Sequence, residues 1–82
     1  MEVNMARIFT DKLVKMDKKI NKVHEEVYGT FTVFVKDGEK YFQLDTYGKP
    51  DREMPEKISQ SIQFDEVAAK QLIELINKEL KI

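Results

Sequence analysis

Apolar and polar side chains alternate with a period of two from Thr30 to Lys36 and again from Glu39 to Tyr47, the pattern of strands with one buried face. Asp37-Gly38 stands between the two runs. A type I′ turn needs positive φ at both central residues, and this dipeptide tolerates it, so the runs are expected to form a hairpin. A two-residue turn pairs Lys36 with Glu39. Counting back, Val33 faces Phe42 and Phe31 faces Leu44, with Val35 on the same side; this is the expected core face. The other face pairs Phe34 with Tyr41, Thr32 with Gln43, Thr30 with Asp45 and, if pairing extends that far, Tyr28 with Tyr47. A slip of one residue would exchange the faces, so the burial pattern specifies the register.

A third strand follows the same scheme. In residues 58–64, Ile58, Ile62 and Phe64 share one parity, and Ser59, Ser61 and Gln63 share the other. The second face of the sheet is therefore expected to show hydroxyls, carboxamides and several aromatic rings with few charges. Two readings stand side by side. One is an ordinary half-exposed sheet whose Thr, Tyr and Ser serve β-propensity. The other is a contact surface, because exposed rings among neutral hydrogen-bonding groups suit stacked bases or a second sheet in a dimer.

The flanks read as helices and a loop. Met5, Ile8, Phe9, Leu13, Met16, Ile20, Val23 and Val27 recur at spacings of three and four, a helical stripe. Either Asn4 or Thr10 is placed to cap it. The stripe also shares strand parity from Val23 onward, so the helix ends between Lys19 and Glu26 and a strand begins near there, bending at Gly29. Lys12, Lys15, Lys18, Lys19 and Lys22 make this the one strongly basic stretch, a solvated helix face or an anion-facing surface. The segment 47–57, with Pro50 and Pro55, reads as a polar loop because each proline pushes its predecessor to extended backbone. Arg52 in that loop is suited to a bidentate grip on phosphate or to stacking on a base, or else to pairing with a neighbouring carboxylate. From Asp65 the pattern is helical again: Asp65 is a good N-cap with Phe64 before it. Ala68, Ala69, Leu72, Ile73, Leu75, Ile76 and Leu80 form an arc wide enough to lie across a sheet.

Length and charge narrow the field. Eighty-two residues make one domain with a limited core, and the chain has no cysteine with which to staple it, so a homodimer is a natural supplement. Fourteen basic and fifteen acidic side chains create no global field to attract nucleic acid, so binding of that kind requires a local patch. His24 is the only histidine, which excludes a zinc site of the usual kind. Gly29, Gly38 and Gly48 are isolated and form no phosphate loop. Nothing pairs the aspartates for acid–base work. Neither an enzyme nor a bound metal or cofactor is expected. Without an apolar run of membrane-spanning length or a secretory leader, a soluble cytoplasmic protein is the default expectation.

The block 39–76 resembles the C-terminal half of transcriptional coactivators of the positive-cofactor type: antiparallel strands, a loop with proline, glycine and basic residues, a last strand, and a helix starting at an acidic cap. It also looks like a group of small bacterial proteins of no assigned activity that share an LQLDTYG…R…K-SQ-IQ-D signature, here Phe42–Gly48, Arg52, Lys57, Ser59-Gln60 and Ile62-Gln63. The coactivator resemblance covers under half of the chain. It implies a dimer whose sheets bind single-stranded DNA through basic and aromatic side chains, at Tyr41, Gln43, Tyr47, Arg52, Lys57 and Ser59 by position. Asp45 departs from it, standing where those proteins tend to place positive charge.

The expected fold is α+β: a three- or four-stranded antiparallel sheet (27–64), a C-terminal helix (65–82) on one face and an N-terminal helix within an amphipathic segment (1–26). The expected function is non-enzymatic binding of single-stranded nucleic acid by the exposed sheet face and the 48–57 loop. Phe34, Tyr41 and Tyr47 would stack on bases; Gln43, Ser59 and Ser61 would hydrogen-bond; Lys49, Arg52 and Lys57 would hold phosphates. The alternative is a protein-interaction module, a small inhibitor or adaptor, using the same face.

Overall fold

In the computed structural model, which describes residues 4–19, 21–48 and 58–82, the described residues form β1 (Asn4–Arg7), β2 (Gly29–Lys36), β3 (Glu39–Tyr47), β4 (Ile58–Asp65) and α1 (Glu66–Leu80). The strands make one sheet in the order β1-β4-β3-β2. Among the described residues the fold is α+β, with a mixed sheet and a single helix.

The hairpin forms in the register that its alternation dictates. Phe34 faces Tyr41, Thr32 faces Gln43, Thr30 faces Asp45 and Lys36 faces Glu39. Asp37 and Gly38 have φ of 52° and 78°, the left-handed pair that lets the turn follow the twist of the strands. Beyond the last strand pair, the Tyr47 N–H still donates to the Tyr28 carbonyl at 3.0 Å. β4 pairs antiparallel with β3, setting Ile62 against Leu44 and Phe64 against Phe42. A register shift between Thr46 and Tyr47 then makes Ser59 an extra residue and sets Ile58 opposite Tyr47. Ile58 thus leaves the parity it shares in sequence with Ile62 and Phe64, because a bulge inserts one residue into one strand only.

The N-terminal helix is corrected. No helix forms among the described residues before Glu66. Asn4–Arg7 instead pairs parallel with the outer edge of β4, Asn4 against Gln60 and Arg7 against Gln63, so the sheet is mixed rather than purely antiparallel. The physical reason is competition for backbone partners. β4 would otherwise end the sheet with a row of unpaired groups, and residues 4–8 satisfy them, down to Ile8 N–H on the Gln63 carbonyl at 3.0 Å. A turn at Thr10-Asp11 follows, with Asp11 at φ 60°, a conformation that an α-helix cannot contain. The described residues between Lys12 and Tyr28 carry no helix or strand. The Leu13 N–H donates to Gln71 Oε1 at 3.1 Å, and Lys15 pairs with Glu79 at 2.9 Å. This exposed pair holds Glu79 below its ordinary carboxylate value and contributes little to stability.

The helix begins as its sequence predicts and ends at Leu80, two residues short of the expected bound. Asp65 accepts from the Ala68 N–H at 2.8 Å, and Phe64 before it is buried. Lys81 closes the helix in the left-handed conformation, φ 57°, with its N–H on the Asn77 carbonyl. Ala68 is the one helical residue that is fully covered.

The expected core face is the second correction. Phe31, Val33 and Val35 are 65%, 66% and 65% exposed. α1 runs over the β3–β4 side only, burying Phe64 and Ala68, and no second helix among the described residues covers β2. The opposite face contains buried positions: Asp45 is 5% exposed and Ser61 6%.

Candidate nucleic-acid interface

The polar face is a lattice of cross-strand rows. One row runs Thr32, Gln43, Gln63 and Arg7; the next runs Phe34, Tyr41 and Asp65; a third runs Thr30, Asp45, Ser61 and Met5. Period-two alternation places the first two members of each row, β4 adds the third, and the parallel strand β1 adds a fourth to the first and third rows.

The aromatic corner lies where β2 and β3 approach their turn. Phe34 and Tyr41 stack with ring centroids 5.2 Å apart and planes 21° from parallel. Arg7 lies over the other side of the corner, its guanidinium carbon 5.8 Å from the Tyr41 centroid and its Nη1 donating to the Tyr41 hydroxyl at 3.3 Å. A guanidinium over a ring is a cation–π contact. It leaves most of the five guanidinium donors available. Arg7 makes no ion pair among the described residues.

The amides beside this corner have a fixed polarity. Gln43 Nε2 donates to both oxygens of Asp45, at 3.0 and 3.2 Å. Gln63 Nε2 donates to Gln43 Oε1 at 2.7 Å. A carboxylate only accepts, so Asp45 dictates that Gln43 turn its NH₂ inward and its carbonyl toward Gln63. Tyr47 reaches diagonally to Thr30, the residue opposite Asp45, with its hydroxyl 3.0 Å from the Thr30 hydroxyl. Asp45 is thus buried beneath its neighbours' side chains rather than projecting from the face. The second carboxylate, Asp65, accepts from the Thr10 hydroxyl and from the Ala68 N–H. The Thr10 bond, then the Ala68 N–H and the nearby Arg7 charge, hold Asp65 below the ordinary aspartate value against the opposing effect of burial. Asp45 and Asp65 therefore both accept hydrogen bonds from groups of the protein itself, while Glu39 stands exposed at the turn end of the same face.

Of the residues singled out in the sequence, Phe34, Tyr41, Gln43 and Tyr47 come together on this face. Ser61 is on it but buried, so it belongs to the packing beneath the surface. Ser59 is the extra residue of the bulge, away from the aromatic corner. Lys49, Arg52 and Lys57 lie outside the described residues. Arg7 and Gln63 are the additions. Gln63 carried the right parity in the sequence. Arg7 carried no signal, because its place depends on a parallel pairing between residues more than fifty positions apart.

Among the described residues there is no group of three or more His, Cys, Asp or Glu arranged to hold a metal ion. None of their helices is long and apolar enough to cross a membrane. Comparison with protein-family models, with curated proteins and with solved structures finds no match to this chain.

Proposed function

We propose that the polar sheet face binds single-stranded nucleic acid, with the Arg7–Tyr41–Phe34 corner as its centre. The observation that carries this reading is the cation placed over a half-exposed aromatic pair, beside amides whose orientation is set in advance by Asp45. Stacking is open to every base because every base has a π-face, and an arginine adds cation–π and phosphate contacts. Duplex hides those faces, so the corner would select single strands. In this reading Tyr41 and Phe34 form the stacking platform, Arg7 meets a phosphate or a base edge, and Tyr47 with Gln63 borders the strand's path. Lys49, Arg52 and Lys57 keep the phosphate-holding role that the sequence gives them.

The test is fluorescence anisotropy of labelled single-stranded oligonucleotides, DNA and RNA, at low and moderate salt, with duplex as control. The expected result is binding that prefers single strands and weakens as salt rises, because phosphate contacts release counterions. No binding at low salt would refute it, and the protein-interaction reading would take its place.

A further inference from the structure

We infer that the outer edge of β2 binds an extended segment of another protein as an added strand. That segment carries apolar side chains at alternate positions and an acidic residue at the end nearest the Asp37-Gly38 turn. β2 ends the sheet, and among the described residues no group bonds to its outer side. Its free backbone groups can be counted from the turn. A two-residue hairpin makes Lys36 and Glu39 a hydrogen-bonded pair, and bonded and non-bonded pairs then alternate along the antiparallel ladder. Thr30, Thr32, Phe34 and Lys36 therefore direct N–H and C=O toward β3. They are in phase with Tyr28, whose carbonyl accepts from the Tyr47 N–H at 3.0 Å. Gly29, Phe31, Val33 and Val35 direct theirs outward, and the last three also carry exposed apolar side chains.

Sheet edges are ordinarily blunted by brevity, proline, a bulge or charge. β1, at the opposite edge, has four residues and carries Arg7. β2 has eight residues, no proline, an unbroken register on β3 and one charge, Lys36, at its end. The chain itself shows what such an edge accepts: β4 would be the other open edge, and Asn4–Arg7 pairs with it as an added strand.

The occupant's chemistry follows from the side chains that border the edge. Strand addition draws affinity from main-chain bonds and specificity from alternate side chains. Residues set opposite Phe31, Val33 and Val35 share their side of the sheet and meet an apolar row, which favours β-branched or aromatic partners. Phe31 stacks there on Phe42, centroids 5.4 Å apart. An open apolar groove lined by Val33, Phe42, Phe64, Ala69 and Ile73 lies alongside. Intervening residues stand on the polar side beside Thr32 and Phe34. Lys36 makes no ion pair among the described residues, so a carboxylate complements it at the turn end. A second copy of β2 would bring a lysine and no acid, so the matching partner is a different chain. The site is an edge rather than the polar face and does not rest on the nucleic-acid reading.

Selection of random peptides of β2's own length by the full chain, then NMR titration with the synthetic peptide that emerges, tests this. The expected peptide alternates apolar and polar residues and has an acidic one at an end. It should slow exchange of the Phe31, Val33 and Val35 amides and leave those of Thr32 and Phe34, already bonded to β3, unchanged. Methylating the peptide's backbone nitrogens one at a time should abolish binding at every second position only, because a ladder uses alternate N–H groups. Val33→Pro should abolish it too, since proline there removes an outward donor and no bond to β3. The methylation series decides the matter if that variant does not fold. Selected peptides without the alternation, binding indifferent to methylation, or no binders at all would overturn the inference. So would sedimentation showing that two wild-type copies occupy the edge themselves, with Val33→Pro restoring the monomer.

Discussion

Arg7 and Tyr41, thirty-four positions apart, meet face to ring: the guanidinium lies 5.8 Å from the ring centroid and donates to the hydroxyl at 3.3 Å. Two pairings make the meeting possible, β1 on β4 and β4 on β3, and neither strand alone would bring a cation to the aromatic corner.

The corner should be separable from the fold. Tyr41→Ala is expected to weaken single-strand binding by about 1–3 kcal/mol, the range for one stacked base. Arg7→Ala should weaken it and make it less sensitive to salt, by about one phosphate contact. Arg7→Lys should recover the salt dependence but only part of the affinity, because an ammonium lacks the planar fork. Anisotropy titrations at three salt concentrations measure both quantities.

Much of this face was legible in the sequence, and the limit has a physical cause. Alternation around Asp37-Gly38 is local information, so every hairpin pair from Thr30–Asp45 to Lys36–Glu39 followed by counting. The Asp65 cap is equally local. The stripe from Met5 to Val27 misled because spacings of three and four describe a helix only if some surface buries the stripe. Here residues 4–8 are drawn to the β4 edge, and Asp11 in the left-handed region stops any helix at that point. Burial was misjudged for a related reason: alternation tells which residues share a face, not whether anything in the same chain covers it. Phe31 and Val33 share a face as expected, yet stand in solvent.

Asp65 should make stability depend on acid. Its folded pKa is lowered, first by the Thr10 hydroxyl and then by the Ala68 N–H and Arg7. The unfolded group titrates near ~3.9, so its contribution is complete above that value. It is lost as pH falls through the lower folded value. Urea midpoints measured from pH 6 down to pH 2.5 should drop in the wild type, and Thr10→Ala should flatten part of that drop. Asp65→Ala should also remove the N-cap and lower the urea midpoint at neutral pH.

Gly38 has φ 78° with open space where a Cβ would stand. Gly38→Ala therefore meets no steric neighbour, only backbone strain, and should cost about 1–2 kcal/mol. Urea denaturation followed by circular dichroism reads this directly. A neutral result would mean that the turn relaxes to another type.

Lys81 holds the left-handed C-cap at φ 57°, where glycine is the usual occupant. Lys81→Gly should stabilise the protein by up to about 1–2 kcal/mol, the left-handed strain it relieves, and leave nucleic-acid binding unchanged, since α1 packs on the apolar side of the sheet. Denaturant midpoints and a single anisotropy titration cover both claims.

The central claim assigns binding to one face of the sheet, and amide and side-chain NMR shifts during titration with a short single-stranded oligonucleotide test it most directly. Shifts gathered at Arg7, Phe34, Tyr41, Gln43 and Gln63, with Phe31, Val33 and Ile73 unmoved, are the predicted result. Shifts confined to the apolar face, or none at millimolar oligonucleotide, would contradict it.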